Sequence, residues 1–144
     1  MVSQTAQKFG YPDSLLFEND HWLLLLRPVQ VTLGSMVIVS KSNATSPAEL
    51  DAPAFADFPQ VCAVAERVLK LKFGAEKFNY LALMMKDPDV HFHLVPRYSD
   101  NVSFAGSTFE DVCWPGAIKI ETSVDLSGDQ MKQLQQELLS SISD

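Results

Sequence analysis

The chain has 144 residues, of which 47% are hydrophobic and 20% charged, and its formal net charge is −7. That length allows one ordinary core and not two, and the composition is that of a folded chain rather than a disordered one. The acidic balance argues against binding a DNA or RNA polymer, which needs a basic surface, yet permits a small nucleotide held by local donors.

No apolar run reaches the roughly 18 residues of a membrane span. The N-terminal stretch MVSQTAQKFGYPDS lacks an apolar signal-peptide core, so the expectation is a cytoplasmic protein with no membrane partner. Cys62 and Cys113 have no zinc-like spacing and read as reduced thiols, Cys62 on a helical apolar stripe and Cys113 in a loop. With no linker or repeat in view, residues 1–144 are expected to form a single domain.

In chain order, SLLF and HWLLLLR flank the turn-type cluster Glu18-Asn19-Asp20 and predict a hairpin, in which His21 and Trp22 take structural positions. SMVIVS, after Gly34, is a β-branched run and predicts a third strand. SPAE (Ser46 to Glu49) has the cap chemistry of a helix start, and a short turn there could lead into a longer helix over about Ala54 to Phe73. There Phe58, Val61, Cys62, Ala65, Val68 and Leu69 recur at helical spacing, and Gly74 supplies a stop. Pro59 is expected only near that helix's first turn.

KFNYLALMM and DVHFHLV read as consecutive strands joined by Lys86-Asp87-Pro88, with Met84 and Met85 in the core. Tyr98 to Gly116 reads as loop, with Trp114 anchoring it at Pro115-Gly116. Ser127 with Gln130 can cap a last helix that buries Met131, Leu134, Leu138 and Ile142. Strands, one central helix, strands and a terminal helix make an antiparallel α+β fold.

The chemistry concentrates in KDPDVHFHLVPRY, Lys86 to Tyr98. On a strand, residues two apart share a face at about 6.6–6.8 Å. Asp89, His91, His93 and Val95 then line one face, expected to open onto a cleft, and Val90, Phe92 and Leu94 line the other, against a helix. Three readings are open at this point. A neutral imidazole, near its ordinary pKa of about 6.5, can act as a nucleophile on phosphorus. Alternatively, Asp89, His91 and His93 could ligate a metal, or the histidines could be ordinary strand residues.

DVHFHLVPR closely resembles the signature of the histidine triad (HIT) family, in which three histidines alternate with hydrophobic residues before Pro-Arg. RPVQVTLGSMVIVSK, the central helix and FNYLALMM come in that family's order, so the resemblance covers about Leu15 to Tyr98. It implies a single HIT-like domain with an antiparallel meander, a central helix and a C-terminal helix, and usually a homodimer. The similarity extends to bacterial diadenosine polyphosphate hydrolase-type members. It also implies a hydrolase or nucleotidyltransferase acting on dinucleoside polyphosphates or nucleoside phosphoramidates, with no cofactor and no metal. By this resemblance His91 attacks the α-phosphorus and becomes nucleotidyl-histidine, while His93 contacts phosphate oxygens.

Two departures accompany it. Asp89 stands at the first triad position; the backbone carbonyl there can still fix the tautomer of His91, but a carboxylate would repel phosphate and favour imidazolium. On that reading Asp89→His should raise turnover. The Gly-Gln phosphate loop ahead of the triad is missing, and Lys41, Asn43, Lys86 and Arg97 are candidates to replace it, with Asn79 as a further nucleotide contact. The competing class is a nucleotide-binding protein of the same fold with little turnover.

Overall fold

The histidine strand sits inside a five-stranded antiparallel sheet. In the computed structural model, which describes residues 2–144, a short helix α1 (Gln4–Lys8) precedes β1 (Leu15–Glu18) and β2 (Trp22–Leu26). These two strands make the hairpin that the Glu18-Asn19-Asp20 turn predicts. β3 (Met36–Ser40), β4 (Lys77–Leu81) and β5 (His91–Arg97) complete the sheet in the order β1-β2-β3-β5-β4. The long step from β3 to β4 is made by helix α2 (Ala52–Phe73), which places β5 centrally and leaves β4 at an edge.

α2 is capped at both ends: the Asp51 carboxylate accepts from the Ala54 N–H, and Gly74 adopts φ +70°. It begins two residues before the predicted Ala54, and Pro59 lies in its interior rather than in its first turn. Four of its five buried positions, Val61, Ala65, Val68 and Leu69, follow Pro59, and their burial outweighs the one lost backbone hydrogen bond. Ahead of it SPAE forms the expected short turn, a 3₁₀ turn over Pro47–Glu49 with the Ser46–Glu49 capping box intact.

Helix α3 (Gly128–Ser143) carries the expected Ser127–Gln130 capping box and buries Leu134 and Leu138 completely. α2 and α3 cover one face of the sheet over Trp22, Leu24, Met36, Ile38 and Leu94. A smaller apolar layer covers the opposite face, where Ala6 and Phe9 lie on Leu23, Leu25, Val37 and Val39.

Three strand expectations change. β4 ends at Leu81, because Met84 has φ +43° and cannot continue an extended strand. Met85 beyond it is 83% exposed rather than core. β5 begins at His91, leaving Asp89 in the preceding bend. The segment read as loop after Tyr98 contains a small hairpin, β6 (Val102–Phe104) and β7 (Ser107–Phe109), turned by Ala105 and Gly106 at φ +49° and +80°. Two consecutive positive φ angles are what a two-residue hairpin turn demands. No described helix is long and apolar enough to cross a membrane.

Candidate active site

Alternation along β5 divides its side chains as the sequence implies. Phe92 turns toward α2, with its ring 4.8 Å from Phe58 and 6.1 Å from Trp22. His91 and His93 turn the other way, registered opposite Val39 and Val37 of β3. The aromatic cluster behind the strand thus holds both imidazoles on the face opposite α2.

The imidazole rings stand nearly perpendicular, 4.9 Å apart between centroids. His91 Nδ1 lies 2.7 Å from the backbone carbonyl oxygen of Asp89. Donation from Nδ1 to that carbonyl places the free lone pair on Nε2. His93 is held neutral: burial, then the neighbouring His91 and Arg27, push its pKa down to about 4. Its Nδ1 is buried without a partner among the described residues.

The rings are 2% and 5% exposed, because Phe9 covers both, at 5.8 Å from His91 and 5.6 Å from His93. The expected cleft is therefore partly roofed. Beside the histidines is a cavity of about 520 Å³. Lys8, Arg27, Lys86 and Asp87 supply its charges, and Phe9, Pro28, Val29, Leu83, Met85 and Ile120 its apolar wall.

Asp89 is not where the sequence placed it. Because β5 starts two residues later, Asp89 lies in the bend ahead of the strand, and its carboxylate accepts from Thr5 Oγ at 2.8 Å. Asp89 does not line the cavity, whereas Asp87 does, paired with Lys8 at 2.9 Å. Asp89, His91 and His93 consequently do not converge as a ligand set. No group of three His, Cys, Asp or Glu side chains among the described residues is arranged to hold a metal ion.

Of the proposed phosphate contacts, only Lys86 lines this cavity. Lys41 pairs with Glu18 at 2.6 Å and borders a different hollow, beside His21 and Ser42. Asn43 is exposed in the loop after β3. Arg97 and Asn79 share a third depression with Trp114, one end of β5 away. Arg97 Nη1 donates to Asn79 Oδ1 at 2.8 Å, and its Nε and Nη2 fork onto Asp111 at 2.7 and 3.2 Å. His21 has the structural place expected, with Nδ1 2.6 Å from Asp57 of α2, and buried Trp22 donates Nε1–H to the Ala54 carbonyl.

Sequence reasoning missed Lys8, Phe9, Arg27 and Ile120. Lys8 and Phe9 lie in or beside a five-residue helix, too short to show a period. Arg27 had a usable signal: a cation directly before Pro28, at the end of an apolar strand in RPVQVTLG. Its backbone is fixed by buried Gln30, whose amide donates to the Arg27 carbonyl at 2.6 Å and whose Oε1 accepts from the Gly34 N–H at 2.7 Å.

No family model and no curated protein sequence matches this chain. Its structure, by contrast, is similar to many solved ones. A histidine triad protein from Bradyrhizobium japonicum superposes with TM-score 0.73 at 14% identity, over 99% of this chain and 97% of that one. One from Marinobacter aquaeolei VT8 gives 0.72 at 19%, over 99% and 98%. The diadenosine triphosphate hydrolase of Plasmodium falciparum gives 0.61 at 12%, over 92% and 76%. These identities establish architecture, and the architecture agrees with the motif read from β5. The chain has the fold of the histidine triad (HIT) proteins.

Proposed function

We propose that the protein is a nucleotide hydrolase or nucleotidyltransferase in which His91 Nε2 attacks the α-phosphorus of a dinucleoside polyphosphate or nucleoside phosphoramidate. An N–P bond forms as the bond to the leaving group breaks, giving nucleotidyl-His91. Water or another acceptor then attacks phosphorus, the N–P bond breaks, and its electron pair returns to Nε2. The observation that carries this reading is the 2.7 Å contact of His91 Nδ1 with the Asp89 carbonyl beside the cavity. Neutral His93 can offer an N–H to the developing charge on the phosphate oxygens. The hydrolase that is structurally similar to the chain supports this direction, as does the apolar wall, which suits a nucleobase.

The second reading, a nucleotide-binding protein of low turnover, is favoured by the near-complete cover that Phe9 places over both histidines. His91→Ala separates the two. Under the leading reading, adenylate release from adenosine 5′-phosphoramidate or diadenosine triphosphate is abolished in that variant while nucleotide binding survives. Undiminished release would show that His91 is not the nucleophile. The proposal includes one domain, a homodimer and no cofactor; edge strand β4 offers unpaired backbone for a dimer contact, which light scattering would measure.

A further inference from the structure

Arg27 is a half-buried cation without an acid. The ion pairs among the described residues join Lys8 to Asp87, His21 to Asp57, Lys41 to Glu18 and Arg97 to Asp111, and Arg27 takes part in none. Its Nη1 donates to the Val29 carbonyl at 2.5 Å, while its Nε is buried with no partner among the described residues. Acids outnumber bases 18 to 11 in this chain, so the lack of a carboxylate at Arg27 is not a shortage of acids. The contrast with Arg97, whose guanidinium is forked onto Asp111, is direct.

The charge around Arg27 is predominantly positive. Lys8, Arg27 and Lys86 line the cavity against the single carboxylate of Asp87, and His93 adds no positive charge at neutral pH. Burial lowers the pKa of Arg27: lost hydration disfavours its charge, and a neighbouring anion would relieve that cost. A guanidinium is the side chain best shaped to fork onto phosphate. One phosphate at His91 leaves this second cationic position unmatched.

We infer that Arg27 is a specificity-determining residue, binding a second anionic group next to the phosphate that His91 attacks. The favoured ligand class is then the nucleoside di- and polyphosphates, including dinucleoside polyphosphates, over nucleotides with a single phosphate or phosphoramidate. This inference rests on the nucleotide reading of the cavity. The bond from Nη1 to the Val29 carbonyl ties the guanidinium to its own loop at the cavity wall.

Calorimetric titration of the full chain with AMP, ADP and inorganic pyrophosphate tests it, alongside Arg27→Gln and Arg27→Lys. The wild type is expected to bind ADP about tenfold or more tightly than AMP, the scale of one charge-assisted contact. Arg27→Gln is expected to erase that preference while changing AMP affinity less than threefold, with partial recovery in Arg27→Lys. Equal wild-type affinity for AMP and ADP overturns the inference without needing any variant, and so does an equal loss for both nucleotides in Arg27→Gln. Pyrophosphate binding that depends on Arg27, without nucleotide binding, would keep the anion site and remove the nucleotide reading. If none of the three probes binds, both fall.

Discussion

Thr5 Oγ donates to the Asp89 carboxylate at 2.8 Å, joining residues 84 positions apart. This contact fastens α1 to the bend before β5, and Lys8–Asp87 fastens it a second time. Phe9 follows directly and roofs both histidines. The residue that the sequence marked as a damaged catalytic position is thus the anchor of the segment that covers the site.

Replacing Thr5 with Val leaves the half-buried carboxylate without its hydroxyl donor. The expected loss is roughly 1–3 kcal/mol, the range for removing one partner of a charged hydrogen bond, read by urea unfolding. The engagement of Asp89 also changes the expectation for Asp89→His. The imidazole cannot restore the carboxylate's bond to Thr5, so turnover is expected to stay level or fall; a clear rise, measured under the same assay, would show that Asp89 acts on the substrate after all.

Arg97 and Asp111 form a buried pair whose carboxylate also accepts the Tyr98 and Cys113 backbone N–H groups. Asp111→Ala is expected to cost about 3–5 kcal/mol, as for breaking a buried ion pair from one side. If Arg97 variants lose activity, they are expected to lose folded protein in parallel by circular dichroism. Activity lost at unchanged stability would return Arg97 to the substrate.

His93 sets a pH dependence of stability. The unfolded chain takes up a proton at this residue near the ordinary value of about 6.5, whereas the folded chain resists protonation until about pH 4. Acidification between those values therefore favours unfolding, and above them the contribution of His93 is constant. His93→Gln is expected to flatten the stability profile between pH 4 and 6.5 in denaturant titrations at several pH values. An unchanged slope would mean that His93 does not titrate as described.

Gly34 has φ +92°, and a Cβ there would lie 2.5 Å from Leu69 Cδ2. Gly34→Ala combines an unfavourable backbone region with a clash against α2. The expected destabilisation is at least on the order of 1–3 kcal/mol, measured by thermal unfolding.

How far the sequence carried depended on where the information lay. The hairpin, β3, α2 and α3 were legible because capping residues and apolar periods are local. The His91 contact was implied by the resemblance to the histidine triad motif, and it survives the change to Asp89 because it needs only a backbone carbonyl. The placement of Asp89 was not, since it depends on Thr5, whose five-residue helix has no readable period. Arg97 and Asn79 face the same side as the histidines but at the far end of the strand, where Asp111 claims the guanidinium. Alternation predicts a face, not a position along it.

The central claim is that His91 Nε2 is the nucleophile. Rapid mixing with excess diadenosine triphosphate or adenosine 5′-phosphoramidate, alkaline quench and peptide mass spectrometry tests it most directly. One adenylyl group is expected on the peptide containing His91, located on that residue and absent in His91→Ala. Turnover with no adduct at any quench time, or an adduct on another residue that persists in His91→Ala, would contradict it.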